Sequence, residues 1–155
     1  RGSVSAMVVV AFPVMLLVMS LVLDAGVAVW ARAVAQASAD LAALAGVQEI
    51  DLDRLMAGER RLLEDAAASR ARGVAIDNLN RLTRVLGSAV DCSVEVVVLN
   101  PERGGTVLHP RDQRRLKDPT VCVVVRLGVT VPSLPSAWRR VVVYAHADAS
   151  VVEKK

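Results

Sequence analysis

The sequence predicts an α+β protein in which a long N-terminal helix precedes a second helical region and a small antiparallel sheet of about three strands. The first observation is an apolar run without a charged residue from Val4 to Leu23. The second is a helical spacing of apolar residues over 51–87. The third is a series of Val-rich segments bounded by Pro, Gly and Asp. We therefore expect a spine helix over 1–50 and an exported α+β domain over 51–155.

The uncharged run is long enough to cross a membrane. Its 20 residues, at about 1.5 Å each, give roughly 30 Å of helix, which is the thickness of the hydrocarbon core of a bilayer. A kink at Pro13 is tolerated in such a helix because neighbouring groups satisfy the freed carbonyl. The alternative is a secretory signal peptide, whose apolar region of about 7 to 15 residues precedes a small-residue cleavage site. The length of the run and the weakness of the "AQA" site at 35–37 favour a transmembrane helix over 4–23.

The helix is predicted to continue to about Gln48, because an Ala-rich pattern without proline follows Asp24. Asp24 is expected at the membrane interface as the polar end of the span, although a carboxylate deeper in the membrane would be functional by default. Beyond it, small residues at alternating spacings of four and three would form a seam for packing on other helices. The same face is also suited to packing on the protein's own domain. The seam comprises Val27, Ala31, Val34, Ser38, Leu41 and Ala45.

The second helical region, 51–87, is predicted to hold one or two amphipathic helices. Gly87 is suitably placed as a helix C-cap. Gly58 and Gly73 lower the helix propensity of the interior and leave the N-terminal boundary open. The apolar face is expected to comprise Leu55, Leu62, Leu63, Ala66, Val74, Leu82 and Leu86.

Three Val-rich segments, 92–99, 120–131 and 139–152, are expected to form the sheet. Alternate residues of a strand share a face, so one apolar face on each strand predicts an antiparallel sheet covered by helix on one side. The apolar face of the second segment comprises Val121, Val123, Val125, Leu127, Val129 and Val131. That of the third comprises Val141, Val143, Ala145, Ala147, Ala149 and Val151.

Two cysteines, Cys92 and Cys122, both occur in strand-like sequence. They are predicted to form one disulfide, because a metal site would need more ligands. A disulfide favours an exported C-terminal domain and hence an N-terminus in the cytoplasm. The charges that flank the span, Arg1 and Arg32, do not decide this orientation by themselves. The alternative for the cysteines is two buried free thiols.

The sequence offers little for catalysis. His146 and Asp148 would share the polar face of the last strand, but a hydrolase also needs an activated nucleophile, and Ser150 is only the next residue on that face. His109 lies in a separate loop. The "ERGGT" turn at 102–106 lacks the Lys-Ser/Thr of a phosphate-binding loop. We therefore expect no enzymatic activity, no cofactor and no metal site.

Positive charge is concentrated in segment 101–119, although the net charge of the chain is only +3. Nucleic-acid binding would need aromatic residues beside these charges, and the segment has no Phe, Trp or Tyr. The segment is therefore predicted to be a solvated loop, with a polyanion site as the alternative, and nucleic acid is not expected as a partner. Its basic residues are Arg103, Arg111, Arg114, Arg115 and Lys117.

The first third of the chain carries a recognisable pattern, from "RGSVSAMVVVAFP" at the start to "SADLAALAG" at 38–46. The matching positions are Arg1, Gly2, Pro13, Asp24, Gly26, Arg32, Gln36, Ser38, Asp40 and Ala42 to Gly46. This pattern resembles the TadE/TadG-like proteins of the Tad (Flp) pilus, which are pilin-like subunits of the type IV filament superfamily. The later part of the chain agrees with them only in outline, as Val-rich strands separated by a Pro-containing turn.

The resemblance implies a non-enzymatic subunit that is made in the cytoplasmic membrane. Its apolar helix would then leave the bilayer and pack among copies of itself or other pilin-like subunits in a filament at the cell surface. Lipid tails and neighbouring Val and Leu side chains are similarly apolar, so this transfer meets no large hydrophobic barrier. A buried Asp24 would need a partner, for which Arg1 or Arg32 of a neighbouring copy is the candidate. Together with Asp40, these are the charged residues expected at subunit contacts.

One departure leaves the assignment as TadE-like or TadG-like open. Many TadE-like proteins carry a Glu near the start of the span, where this chain has Ser5, Ala6 and Met7. Separately, the sequence starts at Arg1 without an initiator Met, so we expect a processed product or part of a longer precursor. The alternative to a filament subunit is a pseudopilin or accessory protein that stays in the cytoplasmic membrane and binds other assembly components through its exported domain.

Overall fold

The spine helix predicted from the sequence is confirmed. In the computed structural model, which describes residues 3–86, 91–130 and 140–152, helix α1 spans Ser3–Val47 and continues through Pro13. Among the described helices, α1 is the one with the length and apolar composition needed to cross a membrane. Only 6% of its most apolar stretch is buried within the protein. Because the core helix of a soluble domain would be mostly buried, this part of α1 is not a core helix.

Two further helices follow α1, as predicted: α2 spans Leu52–Met56 and α3 spans Glu64–Leu86. A β-bridge between Ile50 and Leu62 closes the loop that contains α2. The side chain of Asn100 binds the same Leu62, because its Oδ1 accepts the Leu62 N–H at 2.9 Å and its Nδ2 donates to the Leu62 carbonyl at 3.0 Å. These contacts hold the start of α3 against the segment that follows the first strand.

The predicted apolar face of this helical region is partly wrong. Leu55 and Leu63 are 40% and 45% exposed, whereas the buried positions on α3 are mostly alanine. Small side chains four positions apart present one flat face and let the helix lie close to its neighbour. The buried positions are Leu62, Ala67, Ala71, Ala75 and Leu79. The side chains of Leu82 and Leu86, and the predicted cap at Gly87, lie outside the described residues.

Five strands follow the helices in the described part of the chain. They are β1 (Asp91–Leu99), β2 (Val107–Leu108), β3 (Arg115–Leu116), β4 (Thr120–Thr130) and β5 (Arg140–Ser150). The three long strands form an antiparallel sheet in the order β1-β4-β5, which confirms the predicted sheet. The predicted apolar faces are also confirmed, except that Val131 lies outside the described residues. Their buried members are Val121, Val123, Val125, Leu127, Val129, Val143, Ala145 and Ala147.

Helices α1 and α3 cover one face of this sheet, with α1 in contact with α3, β5 and β4, and α3 in contact with β1. The layers approach most closely at Gly46, near the end of α1. A Cβ atom there would lie 3.1 Å from the Ala67 carbonyl oxygen, from Ala71 Cβ and from Val121 Cγ1. Lack of space therefore explains why glycine occupies this position.

The other face of the sheet is partly covered by the turn between β2 and β3, residues 109–114. The His109 N–H donates to the Arg114 carbonyl at 2.8 Å, and the His109 carbonyl accepts the Gln113 N–H at 3.0 Å. His109 is buried in this arrangement, at 1% exposure. Arg114 reaches the sheet through an ion pair between its Nη2 and Asp148 Oδ2 at 3.0 Å. The turn is thus packed on β5 and is not a freely solvated loop, although most of its basic neighbours are exposed.

Candidate functional site: the exposed surface of the spine helix

The lower half of α1, Met7–Leu23, exposes apolar side chains on every side. All of its large hydrophobic residues are 52% to 75% exposed. The largest apolar patch on a soluble monomer typically covers only a few hundred Å², whereas this surface surrounds the helix for about 25 Å of its length. Such a surface has to be covered by lipid or by other protein chains.

The upper half of α1, residues 24–47, buries one face against the domain and exposes the other. The buried positions are small or short: Asp24, Ala31, Ala35, Ser38, Ala39, Ala42, Ala43 and Gly46. The exposed side carries an apolar row at helical spacing, which we call the outer stripe: Trp30, Ala33, Ala37, Leu41 and Leu44. The outer stripe continues the apolar surface of the lower half beyond Leu23.

The packing seam predicted from the sequence is divided between these two faces. Ala31 and Ser38 are buried against the protein's own domain, whereas Leu41 is 54% exposed. The other members, Val27, Val34 and Ala45, are partly buried at the border. The spacing of small residues identified a packing face on α1 but did not reveal what packs on it. The protein's own domain covers much of this face. A role of the seam in assembly stays a prediction.

Asp24 lies where the two halves of α1 meet. It is 7% exposed, and its Oδ2 is buried without a hydrogen-bond partner among the residues that the structure describes. Of the other charged residues predicted at subunit contacts, Arg32 and Asp40 are exposed, and Arg1 lies outside the described residues. Asp40 accepts a hydrogen bond from Gln36 Nε2 at 3.0 Å. Asp24 is thus the carboxylate that lacks compensation within the described chain.

The predicted disulfide is contradicted by the structure. Cys92 and Cys122 are both free, the first exposed and the second buried. Cys92 is paired with Leu127, five positions along β4 from Cys122, which corresponds to about 17 Å along the strand. Bridged cysteines have Cα atoms less than about 7 Å apart. Because five is odd, the two side chains also project from opposite faces of the sheet. The alternative of two free thiols is the one observed, although only Cys122 is buried. The disulfide therefore no longer supports the predicted orientation of the chain in the membrane.

Sequence reasoning missed that His109 joins His146 and Asp148. His109 Nε2 lies 3.2 Å, and His146 Nε2 3.0 Å, from Asp148 Oδ1, and we call these three residues the histidine cluster. A usable signal was present: segment 101–119 leads into β4 at Thr120, which pairs with Ser150 at the end of β5, so the segment ends close to Asp148. The Ser150 hydroxyl lies 2.9 Å from the Thr120 hydroxyl.

The fold and the exposed surface define a class of protein: an α+β domain carried on one apolar helix that is able to span a membrane. Residues 2–49 match the model of the Tad family, which is described as Flp pilus-assembly TadE/G-like. The match covers the whole of α1 and confirms the resemblance predicted from the N-terminal pattern. The family is one of pilus assembly and not an enzyme family. No curated protein and no solved structure matches the chain.

Proposed function

We propose that this chain is a structural, pilin-like subunit of a Tad/Flp-type pilus or a related extracellular filament, and that it polymerises through α1. The observation that best supports this function is the lower half of α1, whose large apolar side chains are exposed on all sides. The match to a pilus-assembly family covers the same helix. A helix that serves only as an anchor needs lipid around it, and the same surface is equally suited to neighbouring apolar helices.

The outer stripe extends this contact along the upper half of α1. Trp30 and Leu41 flank the small residues Ala33 and Ala37, which together line a groove of about 380 Å³ that reaches Asn78 on α3. A neighbouring helix that packs on the lower half of α1 would continue into this groove, because both lie on one continuous helix. Large side chains beside small ones give the ridge and the gap that helix packing requires.

Asp24 supplies an electrostatic element for the same assembly. A buried carboxylate without a partner is unfavourable, so a cation from a neighbouring copy would stabilise the packed state, and Arg32 or Arg1 is our candidate. Asp24→Arg and Arg32→Asp are each expected to reduce the yield of filaments, and the double variant is expected to restore it. If the double variant fails, the same exchange with Arg1→Asp tests the second candidate, and failure of both excludes this pairing.

The proposal requires the α+β domain to lie outside the cytoplasm, with the N-terminus inside. Cys92 provides a test because its thiol is exposed. A membrane-impermeant maleimide is expected to label Cys92 in intact cells, and Cys92→Ser is the control for specificity. Labelling that needs permeabilised cells would place the domain in the cytoplasm and rule out its incorporation into an extracellular filament.

The decisive experiment is to shear cells that produce this chain and to separate filaments from membranes by ultracentrifugation. A structural subunit is expected in the sheared filament fraction in an amount comparable with the other filament proteins. Detection in membranes alone would identify an accessory protein of pilus assembly and would exclude the proposed structural role.

A further inference from the structure

The histidine cluster lies on the face of the sheet that the helices leave open. His146 and Asp148 are two residues apart on β5 and therefore project from the same face. His109 reaches them from the turn that follows β2. One ligand atom from each of the three residues lies within 4.8 Å of the other two. Three side chains with metal-binding atoms thus converge from two separate segments of the chain.

Two of the distances within the cluster are close to those of a zinc site. Asp148 Oδ1 is 3.2 Å from His109 Nε2 and 3.0 Å from His146 Nε2. Ligand bonds of about 2.0 to 2.2 Å at tetrahedral angles separate neighbouring ligand atoms by about 3.3 Å. Two imidazoles with one carboxylate form a ligand set that Zn²⁺ accepts, and a fourth position is then left for water or another side chain.

Two neighbouring residues orient these ligands. His109 Nδ1 lies 2.6 Å from Asp112 Oδ1 and 3.3 Å from the backbone N–H groups of Arg111 and Asp112. The tautomer that donates Nδ1–H to the Asp112 carboxylate is the one that presents the lone pair of Nε2 to a metal. Arg114 Nη2 binds Asp148 Oδ2 at 3.0 Å, which leaves Oδ1 for the ion. The positive charge of Arg114 opposes the binding of a cation, but the Asp112 carboxylate lies 2.6 Å from Arg114 Nε and offsets it.

His146 shows that the cluster is incompletely satisfied. Its Nε2 is buried and makes no hydrogen bond of acceptable geometry with the described residues, although it lies 3.0 Å from the Asp148 carboxylate. Buried polar atoms in native proteins almost always have a partner. A cavity of about 280 Å³ adjoins the cluster and is lined in part by Glu95 and Cys122. There is space beside His146 for an ion and for a fourth ligand.

We propose that His109, His146 and Asp148 bind one Zn²⁺ ion, which fastens the turn between β2 and β3 to β5. Such an ion would cross-link two segments of the domain that are distant in sequence. The inference does not depend on filament assembly. The alternative is that the same residues are held together by hydrogen bonds alone, without a metal.

Zinc binding is tested on the full chain in detergent micelles after removal of metals with a chelator. Titration calorimetry is expected to show one Zn²⁺ per chain, and Co²⁺ is expected to give the absorption bands of tetrahedral coordination. His146→Ala and Asp148→Asn should each weaken binding by at least ~10-fold. Asp118→Asn is the matched control, because Asp118 is also a partly exposed carboxylate paired with an arginine, Arg60, at 3.3 Å, and it should bind Zn²⁺ like the wild type.

A measurement on the wild-type protein tests the site independently of whether the variants fold. Histidine NMR is expected to show that Zn²⁺ shifts the Nε2 resonances of His109 and His146 together, up to one equivalent of metal. Histidine resonances that do not respond to Zn²⁺ would identify the metal-free alternative and overturn the metal site. Wild-type affinity for Zn²⁺ in a folded His146→Ala variant would overturn it equally.

Discussion

The two halves of α1 are both apolar, yet the domain covers only one of them. In the lower half the side chains are mostly Val, Met and Leu and stand 52% to 75% exposed, whereas the alanines on the inner face of the upper half are at most 1% exposed. Small side chains allow the upper half to lie close to α3 and the sheet. Large side chains without a partner in the chain present apolar area to lipid or to other helices. Residue size, more than hydrophobicity, therefore separates the part of the helix that builds the domain from the part available to other molecules.

The largest expected effect comes from placing a charge in the lower half. Leu16→Arg should be almost absent from both membranes and sheared filaments, because an arginine at the centre of a membrane-spanning helix costs about 2.5 to 3.5 kcal/mol on insertion. The domain should still fold, since Leu16 is 52% exposed. Leu16→Val is the control and should fractionate like the wild type. Normal amounts of the Leu16→Arg variant in filaments would show that the lower half is not the assembly surface.

The two cysteines also differ in burial, since Cys122 is buried and Cys92 is exposed. Burial, and then the neighbouring Asp148, raise the pKa of Cys122 to about 12, so its reactive thiolate fraction at pH 8 is about a thousandfold below that of an ordinary thiol. In the presence of a chelator, iodoacetamide should therefore label the exposed Cys92 first, as judged by peptide mass analysis. Labelling of Cys122 should rise about tenfold per pH unit in the folded protein. Equal labelling of both thiols at pH 8 would contradict the burial of Cys122.

Tight packing in the upper half is tested at Gly46. Gly46→Ala should lower the free energy of unfolding by about 1 to 3 kcal/mol, because the added methyl group meets α3 and β4. Gly73→Ala is the matched control. Gly73 is exposed within α3, and a Cβ there meets nothing within 4 Å, so the change should stabilise by up to ~1 kcal/mol through helix propensity. Thermal unfolding in micelles measures both, and equal effects would show that the close approach at Gly46 is absent.

The smallest effect on the subunit is expected from Leu44 in the outer stripe. Leu44→Ala should change the free energy of unfolding by less than about 0.5 kcal/mol, since the side chain is 54% exposed. It should nevertheless reduce the amount of filament recovered by shearing. Ala33→Ser, a small change in the same stripe, serves as the comparison. Unchanged filament yield with Leu44→Ala would confine the assembly contact to the lower half of α1.

Much of this fold is predictable because the determining pattern is local. An uncharged run predicts the start of α1, and the apolar residues at alternate positions predict which side chains of β4 and β5 face the helices. The errors concern partners that are distant in sequence. The register of β1 on β4 separates Cys92 from Cys122, and neither strand alone reveals that register. Likewise, leucine spacing suggested an apolar face at Leu55 and Leu63, but the close approach of α1 selects the alanine face of α3 instead.

The side chain of Asn100 forms a clamp on the segment that leads into α3. Its amide binds both backbone groups of Leu62, and its Nδ2 also lies 3.0 Å from Glu64 Oε1; this hydrogen bond and that of Arg61 lower the pKa of Glu64. The segment ahead of the clamp, 52–58, is exposed throughout, and the bridge between Ile50 and Leu62 holds its ends together. A loop whose ends are fixed tolerates added length at little entropic cost. An affinity tag inserted there would be displayed on the surface of the domain.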